Sequence, residues 1–294
     1  MGISHSAPVL RKKKSNVSLT ADDKDVENIE KKYYLPSKIE DIDRMQTQHF
    51  LCQHFWQCNF SSPIENMLNM GGCVIDIGCG PGTWLLEMAT EYPMTYFTGV
   101  DIVPVYPSQI MPRNVKFIKG NILQVLPIEE TFDFVRLSSL GTSFTEKEWP
   151  HAIENSIKLL KPGGWIEICE MDLLPNDIGP GFEKIIDAFK GLLSKRGVDP
   201  QIVLKLDSLL ADSNSLSKIQ FDLRRVTAGH PGGKPGILFA ENLAIYFKIV
   251  LAPHLQTFMN ISPEEYQKLW SKCEQEFERD GVHINLYRFW GRKI

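Results

Sequence analysis

The sequence predicts an α/β fold built on a seven-stranded, mostly parallel sheet with helices on both faces and a helical insertion after the fifth strand. Three observations predict it. Short apolar segments alternate with helix-like segments from about residue 31 onward, a pattern typical of parallel sheets covered on both faces. The first apolar segment runs directly into a glycine-rich loop. The last two strand-like segments, residues 218–226 and 282–290, suit an antiparallel pair at one edge.

Five strand-like segments precede the insertion, and they are apolar runs of the kind that is buried on both faces of a sheet. They are residues 73–77, 95–101, 114–118, 132–137 and 165–171. Apolar residues at helical spacing over residues 83–90 and 149–160 predict one helix after the first strand and another after the fourth. This order of elements is Rossmann-like.

The chain after the fifth strand departs from this alternation. Residues 177–216 are predicted to form a helical insertion of two helices separated by glycine and proline. A later helix is predicted to begin at Ser262, which offers an N-cap followed by a proline and two acids in the first turn. Residues 229–236 are open to two interpretations, a mobile flap over the site or a solvent loop. We expect a single domain over residues 31–294.

Residues 1–30 form a basic and polar tail that we expect to be disordered, because it has too little apolar surface to offset the entropy of ordering. Residues 1–6 fit an N-myristoylation pattern at Gly2, and a basic cluster follows at residues 11–14. A lipidated Gly2 would hold the protein at a membrane surface. An unmodified tail is the interpretation that we favour, because so short a pattern often occurs by chance.

The composition argues against several classes of function. A net charge of −4 disfavours broad binding of nucleic acid. The six cysteines are scattered without a Cys-x-x-Cys pair, which indicates reduced, mostly buried thiols and no metal site. We therefore expect an intracellular protein of the cytoplasm or nucleus. No apolar run reaches the about 18 residues of a membrane-spanning helix. Nothing in the sequence indicates an oligomeric state.

The glycine-rich loop after the first strand has the spacing Gly78-Cys79-Gly80-Pro81-Gly82. It offers a ligand bare backbone and the N–H groups at the start of the next helix. The dinucleotide fingerprint G-x-G-x-x-G would need glycine at position 83, where this chain has threonine. Asp76, two residues before the loop, would repel a pyrophosphate but suits a ligand with an ammonium and a sulfonium group. The loop thus favours S-adenosylmethionine over a nicotinamide cofactor and its oxidoreductase chemistry.

Two polar side chains follow the next strands. Asp101 ends the second strand, and its carboxylate suits the two hydroxyls of a ribose. Asn121 follows the third strand, and its amide suits the amino edge of an adenine. Because open sheets bind ligands at the carboxyl ends of their strands, we expect Asp76, Asp101 and Asn121 to lie at one site.

The chain resembles the class I S-adenosylmethionine-dependent methyltransferases and, more narrowly, the fungal LaeA-like family. The similarity extends from about residue 32 to residue 294. It begins in a leader, which comprises residues 34–36 and the run Asp43-Arg-Met-Gln-Thr-Gln-His49. Further similar stretches are residues 74–84, 99–104, 112–117, 132–135 and 160–164.

The resemblance implies a set of cofactor-binding residues and S-adenosyl-L-methionine as the cofactor. The methionine end would lie against Asp76, Gly78, Cys79, Gly80 and Gly82. The ribose and adenine would lie against Asp101, Ile102, Asn121 and Ile122, and Leu137 would close the pocket. Many relatives carry aspartate where this chain has Asn121, and a weaker hydrogen bond to the adenine is expected from that difference.

Methyl transfer from a sulfonium is an in-line displacement whose leaving group is already activated. A general base is needed only when the acceptor is protonated, so the sequence need not contain a catalytic motif. Candidates for the catalytic side of the site are Tyr34, His49, Arg136, Ser138 and Glu170.

The acceptor is a small molecule or a protein, and the sequence does not decide between them. Residues 173–260 are expected to shape its pocket, because they interrupt the regular alternation of strands and helices. The alternative to an enzyme is a non-catalytic regulatory or interaction module that binds S-adenosylmethionine on the same fold.

Overall fold

A computed structural model describes residues 39–175 and 177–294 of the chain. Three features expected from the sequence lie outside the described residues. They are the tail over residues 1–30, the acylation pattern at Gly2, and the candidate Tyr34 with its neighbours in the leader.

The centre of the fold is a seven-stranded sheet in the order β3-β2-β1-β4-β5-β7-β6. The strands β1 to β5 are parallel, and β7 runs antiparallel between β5 and β6. Their bounds are β1 Cys73–Ile77, β2 Tyr96–Asp101, β3 Val115–Lys119, β4 Phe132–Ser138, β5 Leu160–Met171, β6 Leu216–Ala228 and β7 Val282–Lys293. The mostly parallel sheet with an antiparallel edge pair confirms the predicted fold class.

The α-helices cover both faces of the sheet and form the insertion. Their bounds are α1 Ile39–Trp56, α2 Glu65–Met70, α3 Thr83–Glu91, α4 Glu148–Lys158, α5 Pro180–Lys195, α6 Leu206–Asp212, α7 Gly233–Ile245, α8 Ala252–Met259 and α9 Pro263–Arg279. Short 3₁₀ turns occupy Ile202–Lys205 and His230–Gly232, and Tyr246–Val250 is a π-helical segment. The helix predicted to begin at Ser262 does so with a capping box between Ser262 and Glu265.

Three hydrophobic clusters hold the elements together. Trp149 and Ile153 of α4 pack on one face of the sheet, and Trp84 and Leu85 of α3 pack on the other. The third cluster joins α5, α7, α8 and α9 to β7, and it also includes Leu51 and Trp56 of α1. Helix α1 is therefore attached to the insertion and C-terminal helices rather than to the sheet alone.

Residues 229–236 are more regular than either interpretation from the sequence implies, although His230, Pro231, Gly233 and Lys234 are exposed to solvent. The segment is a tight turn that contains a 3₁₀ turn and the first residues of α7. Gly229 has φ +110°, and a Cβ there would lie 2.0 Å from the carbonyl oxygen of Phe277. The glycine therefore allows β6 to pass close to the end of α9 before the chain turns into α7.

The strand β5 is longer than the sequence predicts, since it begins at Leu160 instead of residue 165. A register shift between Phe132 and Phe134 accommodates the extra residues, which include the Pro-Gly-Gly run at 162–164. Within the described residues, no single helix has both the length and the apolar composition to span a membrane. The segments His230–Val250 and Ala252–Met259 meet these criteria only as a pair, which is bent by 63°.

Candidate functional site

A cavity of about 300 Å³ opens at the carboxyl ends of β1, β2 and β4, beneath α1. This is the edge at which open α/β sheets bind ligands. Most of the residues expected at the cofactor site line it: Asp76, Gly78, Cys79, Gly80, Asp101, Ile102, Asn121 and Ile122. The candidates His49, Arg136, Ser138 and Glu170 also line it.

The glycine loop presents bare backbone to this cavity. The N–H groups of Gly78 and Cys79 donate to the carbonyl of Val100, at 2.7 and 3.1 Å, and thereby fix the loop against β2. Gly80 has φ +52°, and a Cβ there would meet nothing closer than the Met45 sulfur of α1, at 3.6 Å. The backbone at Gly80 is therefore open to a ligand beneath α1.

Two residues expected in the cofactor pocket lie elsewhere. Gly82 does not line the cavity; it precedes α3 with φ +73°, and a Cβ there would lie 2.5 Å from the Phe117 ring. Leu137 is fully buried in the hydrophobic cluster beneath α4. Because side chains alternate along β4, its neighbours Arg136 and Ser138 reach the cavity instead.

Asp101 lies at the end of β2 with its carboxylate at the cavity wall. One oxygen accepts from the N–H of Gly80 at 2.8 Å, and the other accepts from the N–H of Val103 at 2.9 Å. Burial raises the pKa of Asp101, while these hydrogen bonds favour the ionised form. Each oxygen keeps a lone pair, so the carboxylate can still accept hydrogen bonds from a diol.

Asn121 is arranged differently from the expectation. Its carbonyl oxygen accepts from the N–H of Leu123 at 3.0 Å, which closes an Asx turn. The amide nitrogen has no hydrogen bond to the described part of the chain. Asn121 therefore offers a ligand a donor, whereas an aspartate would offer an acceptor.

Asp76 is already paired within the chain. Its Oδ1 lies 2.9 Å from Nη1 of Arg136, and the two side chains are only 3% and 12% exposed. The Arg136 guanidinium also stacks over the Trp84 ring, 4.5 Å from its centroid. Burial is the largest single effect and lowers the pKa of Arg136, but the charge and hydrogen bond of Asp76 together with the nearby Cys169 and Glu167 outweigh it, so the pKa is raised. Arg136 is therefore a buried cation in the cavity wall.

His49 projects from α1 and pairs with Glu87 of α3. Its Nε2 lies 2.5 Å from the Glu87 carboxylate, which also accepts from Gln53. Burial lowers the pKa of His49 even though Glu87 opposes this shift. The pair connects α1 to α3 at the wall of the cavity.

Glu170 holds the loop that follows β4. Its two carboxylate oxygens accept from the N–H groups of Leu140 and Gly141, at 2.6 and 3.0 Å. Burial raises the pKa of Glu170 to about 7. Both oxygens accept from backbone, so Glu170 holds the shape of this loop at the cavity wall.

Two groups of lining residues have no counterpart among the residues expected from the sequence. One is the loop at residues 139–144, and the other is the face of α1 formed by Asp41, Arg44, Met45, Gln48 and Cys52. Asn242, Leu243 and Tyr246 also line the cavity, and they lie within residues 173–260, which the sequence predicts to shape the acceptor pocket. They contact α1 directly, because Asn242 donates to the Arg44 carbonyl at 2.7 Å and the Arg44 guanidinium lies over the Tyr246 ring.

Part of the chain is similar to known methyltransferases. Residues 74–164 match the methyltransferase domain family. The N-methyltransferase verN of Clonostachys rogersoniana is 30% identical over 165 residues, which are 54% of this chain and 57% of that protein. The protein-methionine methyltransferase laeA of Emericella nidulans is 30% identical over 146 residues, which are 49% of this chain and 37% of that protein.

Among solved structures, phosphoethanolamine N-methyltransferase 2 of Haemonchus contortus, in complex with S-adenosyl-L-methionine, has 18% identity and a TM-score of 0.47. The alignment covers 84% of this chain and 57% of that chain. The family match and the curated relatives confirm the resemblance to methyltransferases and to fungal LaeA-like proteins. The chain matches only 57% and 37% of the length of the two curated relatives.

Proposed function

We propose that this chain, whose residues 74–164 match the methyltransferase domain family, is an S-adenosylmethionine-dependent methyltransferase with its site beneath α1. One observation carries the proposal. The open backbone at Gly80 and the carboxylate of Asp101 face the same cavity, and they are joined by a hydrogen bond of 2.8 Å. A ligand that carries a ribose next to a sulfonium group fits this arrangement, because Asp101 can accept hydrogen bonds from the ribose hydroxyls while the rest of the ligand passes the backbone at Gly80.

The residues of the chain fit the parts of this cofactor. Asp101 would hold the ribose hydroxyls, while Ile102, Val103 and Ile122 would enclose the adenine. Asn121 would donate from its amide nitrogen to a ring nitrogen of the adenine. The bound cofactor supplies an electrophilic methyl group on sulfur. The protein positions the acceptor in line with it and excludes water with α1.

The part of the cavity between α1, β5 and α7 is proposed as the acceptor chamber. Its wall is mainly apolar, with Met45, Met171, Leu173 and Leu243. The charged groups at its rim are satisfied within the chain, because Arg44 pairs with Asp41 at 2.5 Å and also donates to Gln48. An acceptor with an apolar portion next to its nucleophile suits this chamber. Of the two curated relatives, one is named an N-methyltransferase and the other a protein-methionine methyltransferase, so a small molecule and a protein both remain candidate acceptors.

Binding of S-adenosylhomocysteine, measured by calorimetry, tests the proposed site. The wild-type protein is expected to bind, and Asp101→Ala is expected to bind at least about tenfold more weakly, because hydrogen bonds from the ribose to a carboxylate are lost. Asp222→Ala is the matched control, since Asp222 lies on β6 away from the cavity with 40% of its side chain exposed. No binding by the folded wild-type protein would refute the proposal.

Transfer of labelled methyl groups then separates an enzyme from a binding module. The wild-type protein is incubated with methyl-labelled S-adenosylmethionine and an extract of the source cells, which is divided into small-molecule and protein fractions. Label in either fraction that is reduced with Asp101→Ala supports methyl transfer and identifies the acceptor class. Binding without any transfer would favour the non-catalytic alternative.

A further inference from the structure

We propose that the methyl acceptor is a cationic amine whose ammonium group binds the carboxylate of Glu170 in the wall of the acceptor chamber. The inference rests on the proposed function and deepens it, because it gives the acceptor a chemical class and gives Glu170 a ligand. The sequence analysis named Glu170 as a candidate for the catalytic side of the site, without a role.

The carboxylate of Glu170 lies where β5 meets the acceptor chamber. Glu170 is one residue before the end of β5, and it lines the cavity together with Met171 and Leu173. Its two oxygens accept from the N–H groups of Leu140 and Gly141. A carboxylate oxygen has lone pairs for more than one hydrogen bond, so both oxygens can still accept from a ligand. The group is thus held in place by backbone and remains open to a donor in the cavity.

A glycine leaves space in front of this carboxylate. Gly141 lines the cavity, and a Cβ there would lie 3.1 Å from Oε2 of Glu170 and 3.6 Å from Cδ1 of Leu173. A side chain at position 141 would therefore occupy the approach to Oε2. The glycine keeps open a small space that is bordered by a carboxylate oxygen and by an apolar side chain.

The charge of Glu170 has no counter-ion of its own. Glu170 is 5% exposed, and it forms no ion pair within residues 39–175 and 177–294. The charge of Arg136 acts on it more weakly than the two backbone hydrogen bonds do, and Arg136 is itself paired with Asp76 at 2.9 Å. Burial therefore prevails and raises the pKa of Glu170 to about 7. A buried carboxylate in this state indicates a cation that is not part of the chain.

This missing counter-charge decides between the classes of acceptor. An anionic acceptor would be repelled by Glu170, because buried charges are poorly screened. A hydroxyl would leave the ionised carboxylate without a counter-charge, and a thioether has no hydrogen to donate. An ammonium group supplies both the charge and the N–H donors, and its hydrogen bonds to a carboxylate are of the stronger, charge-assisted kind. The mainly apolar wall of the chamber suits the carbon portion of such an amine.

The test measures how matched amines and alcohols bind to the protein saturated with S-adenosylhomocysteine, by NMR titration in a buffer without amines. One pair is phenethylamine and 2-phenylethanol, and the other is N-acetyl-lysine methylamide and the alcohol in which a hydroxyl replaces its side-chain ammonium. The wild-type protein is expected to bind the amine of at least one pair at least about tenfold more tightly than its alcohol, the range of one charge-assisted hydrogen bond. The pair with the larger preference distinguishes a small-molecule amine from a lysine side chain.

Two variants change the carboxylate and the space in front of it. Glu170→Gln removes the charge and is expected to reduce the preference to less than about threefold. Glu278→Gln is the matched control, because Glu278 is an exposed residue of α9 outside the cavity, and it should keep the wild-type preference. An amide nitrogen at position 170 would face backbone N–H groups and can disturb the loop. Gly141→Ala provides a second form, which keeps the charge but fills the approach to Oε2, and it should also lower the preference.

Binding of S-adenosylhomocysteine shows which variants are folded. An unchanged preference in folded Glu170→Gln would overturn the inference, and where that variant does not fold, an unchanged preference in Gly141→Ala would do so. A wild-type protein that binds S-adenosylhomocysteine but neither amine more tightly than its alcohol would overturn it without any variant. A wild-type protein that does not bind S-adenosylhomocysteine would instead refute the proposed function.

Discussion

Glu170 illustrates how a single buried carboxylate shapes the site. It is 5% exposed, and both of its oxygens accept from backbone N–H groups of the loop after β4. These hydrogen bonds favour the ionised form, but burial outweighs them and raises the pKa of Glu170 to about 7. The hydrogen bonds from the loop thus oppose the cost of burying the charge but do not fully offset it.

This conflict predicts a pH dependence of stability. Between about pH 4.5 and pH 7, the folded protein retains a proton on Glu170 that the unfolded chain releases, so the contribution of Glu170 to stability decreases as the pH rises. The raised pKa corresponds to about 3 kcal/mol across this range. Urea unfolding from pH 4.5 to 8 should therefore show the wild type losing stability relative to Glu170→Gln as the pH rises, and this relative loss should level off above pH 7.

The exposed Glu278 of α9 provides the control, because Glu278→Gln removes a carboxylate that is not buried. Its pH curve should run parallel to that of the wild type. If the Glu170→Gln curve is parallel as well, the pKa of Glu170 is not raised in the folded protein.

At this scale the sequence predicted positions better than orientations. The carboxyl ends of β1, β2 and β3 were identified correctly, because apolar runs that stop at Gly78, Asp101 and Asn121 are visible in one dimension. The Leu137 side chain points into the core because of the pleat of β4 and the packing of α4 against it. The side-chain carbonyl of Asn121 is occupied because a local turn brings the N–H of Leu123 to it. Neither can be read from residue identity alone.

At the scale of elements, α1 acts as the cover of the cavity, and its C-terminal end is anchored by Arg288 of β7. The Arg288 guanidinium lies over the Trp56 ring at 4.6 Å and donates to the Cys58 carbonyl at 2.9 Å. Its Nε lies 3.9 Å from Glu167, which is fully buried and accepts from the N–H groups of Ser61 and Ser62. A charged cluster thus fixes the chain that joins α1 to the sheet.

Removing Arg288 should release this connection. Arg288→Met removes a buried cation that lies 3.9 Å from Glu167 and donates to the Cys58 carbonyl, and we expect a loss of about 1.5–3 kcal/mol in the free energy of unfolding. The exposed Arg292 is on the same strand, and Arg292→Met should change stability by less than about 1 kcal/mol. Urea unfolding of the two variants measures both values. Equal, small losses would show that the cluster does not anchor α1.

The elements themselves were largely predictable, and the exceptions have local causes. The capping box at Ser262 was legible because N-cap, proline and acids are neighbours in sequence. The segment at 229–236 was expected to be a flap or a loop because its glycines and prolines are typical of loops, while here they also serve a close approach to Phe277. The role of α1 was missed because its contacts with α7 join residues that are 198 positions apart, as between Arg44 and Asn242.

For the whole molecule, the cavity lies where two bodies of packed side chains meet. The sheet, with α3 and α4, supplies the glycine loop and Asp101, while the cluster of α5, α7, α8 and α9 carries α1 through Leu51 and Trp56. At the cavity the two bodies contact each other through α1, for example where Gln48 donates to Ser139 at 3.2 Å and where His49 pairs with Glu87 of α3. A ligand that touches both bodies adds contacts that the free protein lacks, so binding should couple them.

This coupling predicts a pattern of hydrogen exchange that involves distant parts of the chain. Saturating S-adenosylhomocysteine stabilises the folded state by about 2.7 kcal/mol at a hundredfold excess over its dissociation constant. The largest added protection is expected in α1 and in residues 139–144 and 242–246, which line the cavity from three separate regions. Outward-facing amides of the edge strand β6 exchange from the folded state and should not change. Protection of the glycine loop without α1 would show that the cofactor binds to the sheet body alone, and that α1 is not the cover of the site.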